Sequence, residues 1–270
     1  MKLSYILHLA DDALVLGHRM SEWCGHGPVL EQDIAMTNTA LDLLGRARTL
    51  YQYAADLYNQ MPVEQRAKMF SSVSLQKLDA AGEKAEEDTM PYLRDSWDFK
   101  NVLIAEQPNG DWAQSVARSL FVDCFYYYYF DQLQHCTDAT IAAVAEKSLK
   151  EVTYHLKWSS EWVIRLGDGT DESHEKMQTA INELWSYTGE MFEEADYETS
   201  LRDELKLPEL AAIKAKWQKH IEEVLEDATM KLPTATWMQK GGKNGMHSEH
   251  LGYVLAELQF MQRVYPSMQW

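Results

Sequence analysis

An acid and a histidine three residues apart on a helix share one face, and a carboxylate beside an imidazole can hold a metal ion there. The sequence offers one such spacing, Asp171-Glu-Ser-His174, and a pair of histidines at the same spacing in His247-Ser-Glu-His250. Each opens a predicted helix after a Gly-containing break, where polar residues satisfy the orphan N–H groups of a helix start. Capping therefore explains both without a metal. The stronger pattern is Glu-x-x-His, which two-metal centres inside four-helix bundles draw from two of their helices. It occurs nowhere in the 270 residues. No Ser-His-Asp set, phosphate loop or dinucleotide fingerprint is present either. One residue stands out for the opposite reason. In LDLLGRAR, Arg46 falls on the same helical stripe as Leu43, Leu50 and Tyr53. A cation on a core-facing stripe must either be paired inside or snorkel out to solvent.

Long helices must position these residues. The seven prolines, at 28, 62, 91, 108, 208, 233 and 266, leave long intervals of helical periodicity. The pattern predicts helices at about 3–24, 29–59, 64–81, 84–104, 111–137, 139–167, 171–195, 208–230 and 247–264. Pro28 suits the first turn of the second helix after Gly25-His26-Gly27. Asp111 is a candidate N-cap after Gln107-Pro-Asn-Gly110, and Thr170 or Asp171 after Gly167-Asp-Gly169. Strand alternation is absent. Residues 60–95 read as an inserted excursion and 231–246 as an irregular Gly-Lys loop. The expected architecture is all-α and one domain over 1–270: two long antiparallel pairs forming a four-helix bundle, with extra C-terminal helices.

Composition narrows the partners. Apolar residues make up 46% and the formal net charge is -17. Such a charge argues against nucleic acid and anionic membrane surfaces. No apolar run approaches the roughly 20 residues of a membrane span. Cys24, Cys124 and Cys136 form no pair in sequence, as expected for reduced thiols in the cytoplasm.

The stretches SEWCGHGPVLEQDIA, LDLLGRAR, LIAEQPNGDWAQSVARSLFVD, KEVTYHLKWSSEWVIRLGDGTDESHEKMQTAINELW and GGKNGMHSEHLGYVLAELQFMQRVYPSMQW resemble the PaaC subunits of bacterial phenylacetyl-CoA monooxygenases. These are ferritin-like proteins of a multicomponent enzyme that epoxidises the ring of phenylacetyl-CoA. The resemblance implies a related PaaA-type subunit that carries the iron, together with further oxygenase subunits and a reductase. Self-association is left open by it.

Laid over the PaaA-type motifs, LDLLGR and KEVTYH show what this chain lacks. Leu43 stands at a ligand glutamate and Arg46 at a ligand histidine. Val152 stands at the second helix's glutamate, while His155 keeps the histidine. Asp123, 29 residues before Val152, matches the acid of the preceding helix, and Ala13, 30 residues before Leu43, falls at the remaining glutamate. Only Asp123 and His155 keep a ligating side chain. Glu151 lies one residue, about 100° of rotation, off the ligand face. The resemblance thus implies no metal and no catalytic residue in this chain. The expectation is a non-catalytic structural subunit in which buried Arg46 pairs with Asp123 and His155 hydrogen-bonds near Asp123 or Tyr126. The alternative is an independent di-metal ferritin-like oxidase. Candidate contact material is part of the aromatic run Phe125–Phe130 and the tail, with Leu251, Leu255, Leu258, Met261 and Gln262 on one face and Tyr265, Met268 and Trp270 beyond it.

Overall fold

The computed structural model describes residues 1–265. Helices α1 (Lys2–Glu22), α2 (Leu30–Gln60), α7 (Trp112–Leu133) and α8 (Ala139–Gly167) form the bundle. Helix α1 packs along α2 and α7 along α8, and α2 meets α8 to join the two pairs. Between the pairs run α3 (Val63–Arg66), α4 (Val73–Ala81), α5 (Thr89–Leu93), one 3-10 turn and α6 (Leu103–Glu106). After them come α9 (Asp171–Trp185), α10 (Asp196–Leu205), α11 (Leu210–Asp227), α12 (Glu249–Leu258) and α13 (Phe260–Val264). Among the described residues there is no strand. The chain is all-α, a ferritin-like four-helix bundle with additional C-terminal helices.

The burial pattern explains the layering. Helix α1 is buried around almost its whole circumference from Leu3 to Leu16, as a helix apolar on every side must be. α9 and α11 cover α7 and α8, while α10 and α12 lie on α1. This outer layer also absorbs the aromatic run. Phe125, Tyr126, Tyr129 and Phe130 are buried, and Tyr127 and Tyr128 are half-buried. Phe125 meets Phe192, and the Tyr128 hydroxyl lies 3.1 Å from His220 Nδ1 of α11. Four of the six rings are thus taken up by intramolecular packing, and Tyr127 and Tyr128 are the part of the run that reaches the surface.

Caps mark the bundle helices. Asp111 accepts the Gln114 N–H at 2.9 Å, and Thr170 caps α9 through Ser173. Asp138 accepts N–H groups of Thr140 and Ile141, and also Lys2 Nζ at 2.8 Å and the Tyr53 hydroxyl at 2.7 Å, so one carboxylate ties α1, α2 and α8. Pro28 lies before the helix instead of in its first turn, since α2 begins after an extended Val29. The α1–α2 turn is closed by Asp33, which accepts the Gly25 N–H at 2.7 Å while Gly25 takes a left-handed φ of 86°.

Other boundaries were decided by contacts distant in sequence. The predicted helices at 64–81 and 84–104 break into short pieces. Asp98 accepts the Ser71 and Ser72 N–H groups and stops the chain between α3 and α4. Asp11 and Asp12 of α1 accept the Lys100 and Val102 N–H groups at 2.8 and 2.7 Å, holding 99–102 extended against the bundle. The helix predicted over 171–195 ends at Trp185, and α10, absent from the sequence prediction, follows. The last predicted helix breaks at Gln259, whose amide donates to the Pro91 and Arg94 carbonyls at 2.8 and 2.9 Å. Leu251 and Leu255 are buried as expected of one face, but Met261 is exposed. Pro266, Met268 and Trp270 lie outside the described residues.

Candidate functional site

The six positions singled out from the sequence are all buried in the bundle. Ala13 sits on α1, Leu43 and Arg46 on α2, Asp123 on α7, and Val152 and His155 on α8, each 5% exposed or less. Three are apolar. The charged and polar ones do not form the arrangement expected of them.

Arg46 is not paired with Asp123. Its guanidinium lies over the Phe130 ring, 4.8 Å from the centroid, and 5.8 Å from that of Tyr126. Phe130 is seven residues beyond Asp123 on α7, about 10 Å along the helix axis. The long side chain therefore reaches along the bundle, with Tyr126 between it and the aspartate. The carboxylate within ion-pairing range of Arg46 is Glu151, Oε2 to Nη2 at 3.9 Å, the residue expected to lie off the ligand face. That separation is too long for a hydrogen bond. Arg46 Nε and Nη2 and Glu151 Oε2 are buried without any hydrogen-bond partner. Burial lowers the pKa of Arg46, partly opposed by Tyr126 and Glu151.

Asp123 is held by Ser159, whose hydroxyl donates to its Oδ2 at 3.0 Å. Burial pushes this carboxyl up to about 7, with the Ser159 bond and the Arg46 charge pulling the other way. His155 turns outward from Asp123 and Tyr126: its Nε2 lies 3.0 Å from Asp42 Oδ2. Burial holds its pKa well below the ordinary value, the Asp42 hydrogen bond opposing and the Arg46 charge reinforcing that shift. A neutral imidazole with the Nε2 proton donated to Asp42 satisfies both observations.

A two-iron centre needs about four carboxylates and two imidazoles facing one space. Here the candidate donors are Asp123, committed to Ser159, and His155, committed to Asp42, with a guanidinium nearby. Among the described residues, no three His, Cys, Asp or Glu side chains come together as a metal-holding group. This donor set does not fit a two-iron centre.

The other two candidate spacings, Asp171–His174 and His247–His250, resolve into structure. His247 lies between acceptors, Nδ1 at 3.0 Å from Glu106 Oε2 and Nε2 at 3.0 Å from the Phe99 carbonyl. Both nitrogens face acceptors, an arrangement that favours the imidazolium. Burial disfavours that charge, but Glu106 and the Phe99 carbonyl outweigh it and raise the pKa. Ser248 caps α12. His174 Nδ1 is 2.8 Å from the Gly167 carbonyl, and Asp171 lies in the first turn of α9.

Sequence reasoning passed over the buried acids of α1. Asp11 pairs with Arg94, both 0% exposed, and accepts the Tyr51 hydroxyl at 2.6 Å. Asp12 accepts the Tyr126 hydroxyl at 2.5 Å. The signal was present in Ala10-Asp-Asp-Ala13: two acids inside a helix with no polar face must find buried partners.

Two comparisons bear on this arrangement. The chain is 40% identical over 267 residues, 99% of its length and 98% of the relative's, to the C-type component of the 1,2-phenylacetyl-CoA epoxidase of Escherichia coli (strain K12). The family model described as phenylacetic acid catabolic protein, PaaA_PaaC, matches residues 1–270. A match along the whole chain makes this protein a member of the PaaA/PaaC family of phenylacetic acid catabolic proteins.

Proposed function

We propose that this chain is the non-catalytic structural subunit of a multicomponent monooxygenase that epoxidises the ring of phenylacetyl-CoA. It would act in the cytoplasm, in aerobic phenylacetate breakdown, with iron held by a PaaA-type catalytic partner. The observation that carries the reading is the bundle interior. Ala13, Leu43 and Val152, at three of the positions the resemblance gives to ligands, are apolar and buried, and the buried guanidinium of Arg46 is at a fourth. Replacing carboxylates by alkyl groups removes the charge that holds cations, and Arg46 adds a charge of the wrong sign. The 40% identical relative, itself named as an epoxidase subunit, supports membership in such a complex.

A protein of this kind without a metal centre contributes surface. On α2, Leu30, Ile34 and Leu41 are 69, 51 and 62% exposed, and Tyr154 of the adjoining α8 is 54% exposed. Isolated surface leucines need no explanation, but an apolar row along one helix face marks an interaction site. In the proposed complex the catalytic partner lies over this face, within an interface of more than about 2,000 Å² as obligate assemblies have. Among the described residues no helix is long and apolar enough to cross a membrane.

Co-purification with a PaaA-type subunit and the reductase tests the reading. Iron is expected in the partner, with ring epoxidation requiring both chains. Ile34→Asp with Leu41→Asp is expected to abolish the complex while leaving this chain folded. Two iron equivalents in this chain, or full turnover of the partner without it, would refute the scaffold role.

A further inference from the structure

Arg46 leaves the bundle interior electrostatically unfinished. A buried guanidinium carries five N–H donors, and those on Nε and Nη2 have no acceptor. An unsatisfied buried charge is strongly unfavourable, so an acceptor is expected within reach. The protein's own carboxylates do not supply it. Asp123 is taken by Ser159, and Glu151 stays 3.9 Å away, its other oxygen 3.4 Å from Lys147 Nζ.

The same arginine lines a cleft of about 420 Å³ between α2 and the first half of α8. This volume falls in the lower part of the range for small-molecule sites, about 300–1,000 Å³. Its walls include the methyl and isopropyl groups of Ala143 and Val144, with the Ser148 hydroxyl among the polar groups. Cations outnumber anions in the lining: Arg46 and Lys147 against Glu151. In a chain of net charge -17 such a local excess is unusual, and it lies beside the unpartnered, buried donors of Arg46. Apolar walls ending at a guanidinium short of acceptors suit an amphipathic anion. A single carboxylate matches the planar Arg fork, whereas a phosphate dianion would meet more repulsion from Glu151.

We propose that this cleft binds a small organic monocarboxylate, its carboxylate at the guanidinium of Arg46, which lines the cleft, and its apolar body along Ala143 and Val144. Glu151 stays with Lys147, and Arg46 is the anchor. The site is separate from the exposed Leu30–Leu41 row, and its test uses this chain alone, so it stands or falls apart from the scaffold reading.

The test is calorimetric titration of the full chain with benzoate, with benzamide as the neutral isostere and inorganic phosphate as the compact anion. Saturable benzoate binding is expected, with a dissociation constant on the order of 1 mM. Benzamide and phosphate should bind at least about tenfold more weakly. Arg46→Met should weaken benzoate at least about tenfold by removing the anchor. Ala143 is exposed on α8, so Ala143→Phe fills the cleft without entering the core and should weaken benzoate equally, with an unchanged urea midpoint. Absence of saturation below about 50 mM benzoate would overturn the proposal, leaving Arg46 to ordered water. So would equal binding of benzamide, or undiminished benzoate binding by Ala143→Phe.

Discussion

Replacing Asp123 by Asn should stabilise this protein at alkaline pH and leave it nearly unchanged in acid. Asp123 is buried, receives one hydrogen bond from Ser159, and has its carboxyl raised from 3.8 to about 7. A carboxyl whose folded pKa lies above its unfolded value binds its proton more tightly in the native state. Its contribution to stability is then fully present below about pH 4 and is lost as pH rises through about 7. Three units at about 1.4 kcal/mol each make the full span about 4 kcal/mol. Asparagine keeps an acceptor for the Ser159 hydroxyl and carries no charge, so Asp123→Asn should escape this loss. Urea unfolding of parent and variant between pH 4 and 8 measures it through the midpoints at constant m-value. The variant is expected to be roughly equal in stability at pH 4 and more stable by about 2–4 kcal/mol at pH 8, allowing for partial relaxation around the ionised acid. A variant less stable at pH 8 would refute the reasoning. That result would mean that the carboxylate is ionised and paired in the native state, and Arg46 is the one cation near enough to do it.

The same titrations test three further expectations. Arg46→Met should change stability by no more than about 1–2 kcal/mol, because the guanidinium makes no hydrogen bond through Nε or Nη2 to lose; a loss of about 4 kcal/mol or more in urea unfolding would mean that the charge is well paired. Arg94→Met should cost roughly 3–5 kcal/mol by stranding Asp11 in a wholly buried site. Thermal denaturation of the Arg94→Met, Asp11→Asn double variant should recover part of that loss, and a purely additive double would count against the pair. His247 has a raised pKa, so its contribution is present in full below about pH 6.5 and is lost as pH rises through the folded value. His247→Asn should remove that alkaline decline, read as the difference in urea midpoint between about pH 6 and 9.

Periodicity alone located the bundle. The predicted spans at 3–24, 29–59, 111–137 and 139–167 match α1, α2, α7 and α8 within a few residues. In such long helices burial and capping are local consequences of residue order: an apolar stripe needs no distant partner to be recognised, and Asp111 and Thr170 cap from adjacent positions. The absence of Glu-x-x-His, and the apolar residues at 13, 43 and 152, were equally legible, because they depend on residue type alone.

What tertiary structure decided was how each buried polar group found its partner. The excursion between α2 and α7 reads as helical, yet Asp11 and Asp12, about 90 positions away in sequence, hold it extended by accepting its N–H groups. His155 chose Asp42, and Arg46 extended along α7 toward Phe130 instead of across to Asp123. Sequence spacing specifies which side chains share a helix face. It does not specify the axial offset between neighbouring helices or the direction a long side chain takes. A hydrogen bond tolerates only a few tenths of an ångström, so those two variables determine whether a pair forms.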